Sequence, residues 1–232
     1  MYAKCFKRVL DFVLSLIALL ILSPILLILI IIGAIAMKGN PFFTQLRPGK
    51  IRKKTGQEKI FRLIKFRTMS NAKDKDGKLL PDDQRLNRYG RFLRSTSLDE
   101  LPELLNILKG DMAIVGPRPQ LVRDMVFMTQ EQRKRHTVRQ GLTGLAQANG
   151  RNGISWEKKL AFDLQYIEKI TFAGDVKILC KTVVGVFKRD GIAEEGMAPA
   201  EDVGDYLVRV GSITEDEYQG KQEEAQILLK TV

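Results

Sequence analysis

Thiols, imidazole and indole are almost missing from this sequence: 2 cysteines, 1 histidine and 1 tryptophan in 232 residues. Cys5 and Cys180 suggest no disulfide framework and are read as reduced thiols. A single histidine without clustered thiols argues against a zinc site. No Gly-rich dinucleotide loop is present, so the chain is not read as a Rossmann fold. No internal repeat is found either. Acid is scarce where base is plentiful. Of 38 Lys and Arg and 27 Asp and Glu, 3 and 10 lie in residues 194–232, leaving 35 bases and 17 acids, a net +18, on residues 1–193. Such a body calls for anionic partners: nucleic acid, anionic lipid or phosphorylated substrates. The length favours one compact domain, and the 44% apolar content is enough to build its core.

What the sequence does have is one long apolar run. Phe12 to Met37 carries no charge. As a straight helix it would reach about 39 Å, beyond a bilayer core of roughly 30 Å. It is too long for a signal peptide and no small-residue cleavage site follows. Two features oppose a simple crossing. Ser23-Pro24 sits near the middle, where Pro24 has no N–H for the Leu20 carbonyl; a kink is expected, softened by a bond from Ser23 to a freed carbonyl. Both flanks are also basic: Lys4, Lys7 and Arg8 before, Lys38, Arg47, Lys50, Arg52, Lys53 and Lys54 after. Both flanks on the cytoplasmic side require a re-entrant helix–break–helix; a spanning helix is the alternative.

Beyond Gly39-Asn40-Pro41 the chain reads as soluble. Phe42–Leu46 and Lys59–Phe66 are expected as extended pieces around a basic turn, Arg47–Gln57. Asn71–Asp83 reads as a loop. Leu101, Leu104, Leu105 and Leu108 recur at helical spacing and should form a buried face, with Gly110 closing the helix. Ala113–Val115 is a short strand or turn, Val122–Val138 a helix, and Gln140–Gly153 a loop. Trp156, Leu160, Leu164 and Ile167 mark another helix. Val176, Leu179, Cys180, Val183 and Phe187 mark the next, opposed by Lys177, Lys181, Lys188 and Arg189. That second helix suits either a core-facing position or an anionic membrane surface. The tail from Glu194 matches no packed core, although Thr214 and Glu217 resemble a capping box that would start a helix over Glu215–Leu229.

Four groups of residues could carry chemistry. In Ser97-Leu98-Asp99-Glu100-Leu101-Pro102, Asp99 is expected at a helix N-terminus, where it stays ionised beside a natural anion site. That suits an aspartyl-phosphate type intermediate, but Ser97 with Glu100 is equally a plain capping box. Gly116-Pro117-Arg118-Pro119 is a stiff turn presenting one guanidinium to a phosphate or to water. Lys65, Arg67, Arg88, Arg91 and Arg94 form a basic set that serves diphosphates, membranes or RNA alike, or is merely solvated. Gln147, Asn149 and Arg151 lie in a polar stretch that could read a nucleotide. His136 is assigned no role.

Together these segments resemble the monotopic phosphoglycosyl transferases, bacterial sugar transferases that begin surface-glycan and glycoprotein assembly. The resemblance runs from about Lys7 to Ile192. It rests on Ser23-Pro24, Lys65-Phe66-Arg67-Thr68-Met69, the Ser97–Pro102 segment and Leu108-Lys109-Gly110-Asp111-Met112. It continues through Val115–Pro119, Arg135-His136, Gly141-Leu142-Thr143-Gly144 and Asn149-Gly150-Arg151. The family usually has proline at the position of Gln140 and often tryptophan at that of Leu145.

The resemblance implies an α-dominated α/β fold. A re-entrant membrane helix over 1–38, broken at Ser23-Pro24, would carry a small cytoplasmic sugar transferase domain over 39–193 with interfacial amphipathic helices. An acidic extension over 194–232 falls outside it and is expected to pack on the basic body or to join a partner. It implies Asp99 as nucleophile, Glu100 as its dyad partner, and Mg²⁺ held by Asp99 and Glu100. Lys65, Arg67, Arg94 and Arg118 would bind substrate phosphate, with Gln147, Asn149 and Arg151 in a nucleotide-sugar loop. The partners would be a UDP-sugar donor, an undecaprenyl phosphate acceptor and membrane lipid on the cytoplasmic face of the bacterial inner membrane; a homo-oligomer is left open. Nucleic acid is set aside because the aromatic pattern of RNA-binding modules is missing. The competing readings are a membrane glycosyltransferase that releases UDP, and a membrane-tethered basic module that binds lipid or RNA.

Overall fold

The uncharged Leu- and Ile-rich run from Phe12 forms most of the longest element, α1, over Lys7–Ala36, preceded by a π-helical turn at Tyr2–Phe6. The structure, a computed structural model, describes residues 1–150, 153–187 and 201–230. Pro24 lies inside α1 and does not divide it into two helices. The Ser23 hydroxyl donates to the Leu20 carbonyl at 2.8 Å, the very group that proline leaves without an N–H partner. Both halves of α1 rest on the rest of the chain. Ala18 and Leu19 pack against Phe61, Leu63, Leu104, Ile107 and Met112; Leu26, Leu29 and Ile30 pack against Phe66 and Leu93. Between the halves, Leu20 and Ile21 are 67% and 70% exposed. Two of the bases before the apolar run are not free flanking charges: Lys7 pairs with Asp175 at 2.7 Å, and Arg8 donates to the Ile107 and Leu108 carbonyls.

An antiparallel hairpin follows, β1 (Phe42–Ile51) with β2 (Glu58–Phe66). The first strand continues into the expected turn as far as Ile51. Pro48 is tolerated because β1 has a partner on one side only, and the register shifts between Pro48 and Ile51. The loop after β2 is loosely held by isolated bridges until α2 (Asp82–Arg85) and α3 (Arg88–Thr96). Ser97 then takes a left-handed conformation, φ 56°, and Leu98–Glu100 form a 3₁₀ turn. Ser97 therefore closes α3 and caps nothing with its side chain, contrary to the capping-box expectation. Pro102 sits at the N-cap of α4 (Glu103–Lys109), and Gly110, φ 86°, terminates it. The buried face of α4 is Glu103, Leu104, Asn106 and Ile107; of the expected leucine stripe Leu104 is buried, Leu101 is partly buried against Leu29, Phe66 and Leu93, and Leu105 is exposed. Asn106 turns inward because its amide satisfies β2, accepting from Ile64 N–H and donating to the Arg62 carbonyl.

A second, parallel pair joins β3 (Met112–Val115) to β4 (Gln140–Thr143). The expected loop over 140–153 thus contains a strand, and then a short helix, α7 (Leu145–Ala148). The expected helix over 122–138 is broken into α5 (Val122–Met125), α6 (Gln130–Arg133) and a 3₁₀ turn at Lys134–Thr137. The break has a local cause: Thr129 and Gln132 form a capping box that starts α6 afresh. Helices α8 (Trp156–Glu168) and α9 (Phe172–Phe187) close the body. On α9, Asp175 and Ile178 face inward, while Phe172, Val176, Val183 and Val184 are exposed.

The described part of the acidic extension does pack, through α10 (Val203–Arg209) and α11 (Glu215–Lys230). Ala225 and Leu228 join Val122, Met125 and Val126 of the α5 region, and Tyr218 stacks on Phe127. Asp124 accepts from Leu121 N–H and from Val203 N–H. Deleting residues 201–232 would uncover that cluster. Losing burial worth several kcal/mol should lower the unfolding temperature by roughly 5–10 °C in detergent. An unchanged midpoint in a thermal scan would show that the extension adds nothing to the body.

Candidate active site

Three segments far apart in sequence meet beside the start of α4. The end of β2 brings Lys65, the 3₁₀ turn brings Asp99 and Glu100, and the turn after β3 brings Arg118. Lys65 Nζ lies 2.8 Å and Arg118 Nη2 lies 2.7 Å from the same oxygen of Glu100, Oε1. Lys65 also reaches the buried Glu103 at 3.2 Å. Burial works against the charge on Glu100, but Arg118 and Lys65 outweigh it and hold its carboxyl far below the usual range. Glu100 in return holds Arg118 above the ordinary guanidinium range. Burial pushes Glu103 up, with Glu100 adding to the effect and Lys65 resisting it.

Asp99 is the opposite case. Its carboxylate accepts no hydrogen bond and forms no ion pair among the described residues. Burial raises its pKa, Glu100 adds to the rise, and Lys65, Arg118 and Arg94 resist it from nearby. Two adjacent acids are thus sorted by environment. Glu100 is neutralised by two cations; Asp99 is uncommitted and made more basic.

The Arg118 turn is held from behind. Gly116 N–H donates to the Thr143 carbonyl, and Gly141 N–H to the Pro117 carbonyl at 2.8 Å. A Cβ on Gly116 would meet the Arg139 carbonyl, which is why the strands approach there only through glycine. Arg47 donates to the Pro119 carbonyl at 3.1 Å. Arg135, wholly buried, donates to the Arg118 carbonyl and pairs with Asp163 at 2.7 Å. Its other terminal nitrogen faces His136 Nε2 at 3.2 Å, while His136 Nδ1 faces Glu58 Oε1 at 3.2 Å. Since Arg135 only donates and Glu58 only accepts, the neutral imidazole carries its proton on Nδ1.

Burial brings the His136 pKa down to about 4, a carboxylate neighbour notwithstanding. An unfolded histidine takes a proton below about 6.5. The contribution of His136 to stability is therefore complete above pH 6.5 and is lost as pH falls toward 4, on the order of 3 kcal/mol in all. The gap in unfolding temperature between the wild type and His136→Gln should narrow over that window. A gap that stays constant with pH would refute the neutral buried imidazole.

The other expected site residues divide. Arg94 donates from Nε to Thr68 Oγ1 at 3.1 Å and lies close enough to act on Asp99. Arg67 has no ion pair among the described residues; its backbone N–H bonds the Pro41 carbonyl. Gln147 donates to the Leu142 carbonyl at 3.0 Å and its Oε1 is buried without a partner. Asn149 bonds the Leu145 carbonyl and accepts from Lys181. Arg151 lies outside the described residues. Glu103 and Asp163 went unnoticed in sequence, Glu103 because it looks like a first-turn acid and Asp163 because it looks like a surface charge; Arg47 reads there only as a flanking base, and Arg135 only as part of a family motif with no role assigned. For a divalent cation, the available oxygens are the Asp99 carboxylate and Glu100 Oε2, which the two cations leave unbonded. Among the described residues no group of three or more His, Cys, Asp or Glu is assembled. Two carboxylates completed by substrate phosphates and water are what Mg²⁺ ordinarily takes, so the donor set fits it.

The chain matches the bacterial sugar transferase family over residues 2–189. It is 44% identical over 195 residues to the uncharacterized sugar transferase EpsL of Bacillus subtilis, covering 84% of this chain and 94% of that protein. It is 38% identical over 189 residues to the UDP-glucose:undecaprenyl-phosphate glucose-1-phosphate transferase of Klebsiella pneumoniae, covering 77% of this chain and 39% of that protein. It is 34% identical over 208 residues to the undecaprenyl-phosphate galactose phosphotransferase of Salmonella typhimurium, covering 82% of this chain and 42% of that one. The chain thus spans nearly all of the first relative and about two fifths of the other two. The extension of α10 and α11 lies beyond the family match.

Proposed function

The chain belongs to the bacterial sugar transferase family of phosphoglycosyl transferases, and on that footing we propose that it moves a sugar 1-phosphate from a UDP-sugar to undecaprenyl phosphate. The observation that carries this is the contrast between Asp99 and Glu100. A nucleophilic carboxylate must be ionised and free; its neighbour must be tied down so that it does not compete. An Asp99 oxygen attacks the β-phosphorus of the donor, and the bond from that phosphorus to the bridging oxygen breaks. UMP leaves with the electron pair, and the sugar phosphate stays on Asp99. An oxygen of undecaprenyl phosphate then attacks the same phosphorus and releases the carboxylate. Lys65 and Arg118 keep Glu100 in place, and the half-exposed Arg118 guanidinium and Arg94 bring positive charge to the phosphates. Mg²⁺ on Asp99 and Glu100 would supply further charge neutralisation.

The acceptor is a lipid, and three facts support a membrane-surface site. Arg8 near one end of α1 bonds Ile107 and Leu108, and the carbonyl of Ala36 at the other end accepts from Asn87 at 3.1 Å. A helix that crossed a bilayer would carry one of these ends away from the body, so the contacts favour a re-entrant, monotopic helix. The exposed apolar side chains along α1, Leu20 and Ile21 near Pro24 among them, are the part to bury in lipid. The exposed valines of α9 suit an interfacial helix. A relative named for glucose and another for galactose leave the sugar to be determined.

The test is nucleotide release. Detergent-purified protein, Mg²⁺, undecaprenyl phosphate and a panel of UDP-sugars should yield UMP with one sugar. UDP would place the chain among glycosyltransferases that move only the sugar. No nucleotide from a panel that includes rare sugars would point to a lipid-binding module.

A further inference from the structure

A membrane tether needs only an apolar surface, yet α1 buries charge. Asp11 and Lys7 are 5% and 9% exposed, and Asp175 of α9, which pairs with Lys7, is 4% exposed. Ionisable groups kept in such a segment are costly and usually have a task. Their partners define it. Arg8 donates to the Ile107 and Leu108 carbonyls at 2.6 and 2.9 Å, so it caps the far end of α4, the helix that follows the Asp99–Glu100 turn. One helical turn further on, Asp11 Oδ1 accepts from Ile114 N–H at 3.1 Å, in β3 just before the Arg118 turn. The adjacent Val115 carbonyl faces the Tyr166 hydroxyl at 3.1 Å. That hydroxyl also lies 2.9 Å from Asp175, which takes Lys7 and Tyr2 at 2.7 Å each. A single stretch of α1 therefore grips the two elements whose loops face each other across the 2.7 Å pair of Glu100 and Arg118.

We propose that Arg8 and Asp11 are positioning residues: the seating of the membrane helix sets the spacing between the Asp99–Glu100 turn and the Arg118 turn, so the anchor is part of the active-site frame. This rests on the catalytic reading of Asp99 given above. A displacement of about 1 Å at a reacting centre costs roughly 100-fold. Asp11→Ala removes the acceptor for Ile114, whereas Asp11→Asn retains an oxygen in the same place.

The experiment uses the full chain in nanodiscs and measures UMP release from the active UDP-sugar. Asp11→Ala should lower kcat about 100-fold with little change in KM, and Asp11→Asn should recover most of the loss. In an Arg118→Ala background the same Asp11→Ala change should cost far less, because the pair it aligns is already gone. Equal costs in both backgrounds, or wild-type kcat in Asp11→Ala, would overturn the proposal. Should Asp11→Ala not fold, Arg8→Ala makes the same comparison, since its partner carbonyls lie at a helix end. Amide hydrogen exchange on these variants decides the framing without turnover. Faster exchange spreading from Ile114 to both Arg118 and Glu100 supports it; a change confined to Ile114 refutes it. A wild type that releases no UMP would instead refute the reading of Asp99.

Discussion

Asp99→Asn is expected to abolish turnover without weakening the fold. Deleting a nucleophile typically costs on the order of 10⁴–10⁶ in rate, because the remaining groups still bind substrate but form no covalent intermediate. An asparagine amide is the same size as the carboxylate and lacks the lone-pair basicity to attack phosphorus. Stability should move the other way. Burial raises the Asp99 pKa, so the folded state is penalised once the group ionises, and the penalty is complete at neutral pH. Removing the charge relieves it, and the variant should unfold at the wild-type temperature or slightly above. Glu100→Gln provides the contrast. It breaks the compensation of Lys65 and Arg118, so it should lose both activity and stability. UMP release and a thermal scan on the two variants separate the roles. Residual activity of Asp99→Asn within a few-fold of wild type would end the covalent mechanism.

Asp99 and Glu100, the Arg118 turn and Lys65, which the structure brings together, could be picked out as candidates in sequence because their pattern is local: two adjacent acids, a guanidinium between two prolines, a lysine in a basic stretch. That Glu100 takes both cations and Asp99 neither was not legible, because it depends on how β2, the 3₁₀ turn and the end of β3 come together. The same limit applies to the fold. The long apolar helix, the Gly110 stop and the Thr214–Glu217 cap are signals within a few residues, and each appears where expected. The strand Gln140–Thr143 gives no such signal. It is four residues long, and its partner β3 lies 28 positions earlier, as in the pairing of Met112 with Gln140. Gly141 within it and Gly144 just after it mark close approach to Gly116 rather than a loop. The leucine stripe of α4 misled for a related reason. Glu103 and Asn106 are buried because Lys65 and the β2 backbone satisfy them, and no periodicity reveals a partner 38 or more residues away.

Arg135 is the clearest case of a residue whose weight only the structure shows, and its loss should be severe. Its guanidinium serves Asp163, the Arg118 carbonyl and His136 together. Arg135→Met keeps much of the volume and removes every donor. Asp163, 2% exposed, would then be a buried carboxylate without a counter-charge. Breaking a buried pair from one side costs about 3–5 kcal/mol. For a chain of this length that is a fall in unfolding temperature of roughly 10 °C. Activity should fall further than stability alone explains, because the carbonyl that anchors the Arg118 turn loses its donor. The double replacement Arg135→Met with Asp163→Leu distinguishes the two effects. With neither charge left in the core, stability should return toward wild type, since matched apolar residues often replace a buried pair without loss. Activity should stay low, because nothing then holds the Arg118 carbonyl. Recovery of both in the double variant would show that the pair only fills the core, and that Arg118 keeps its place without it.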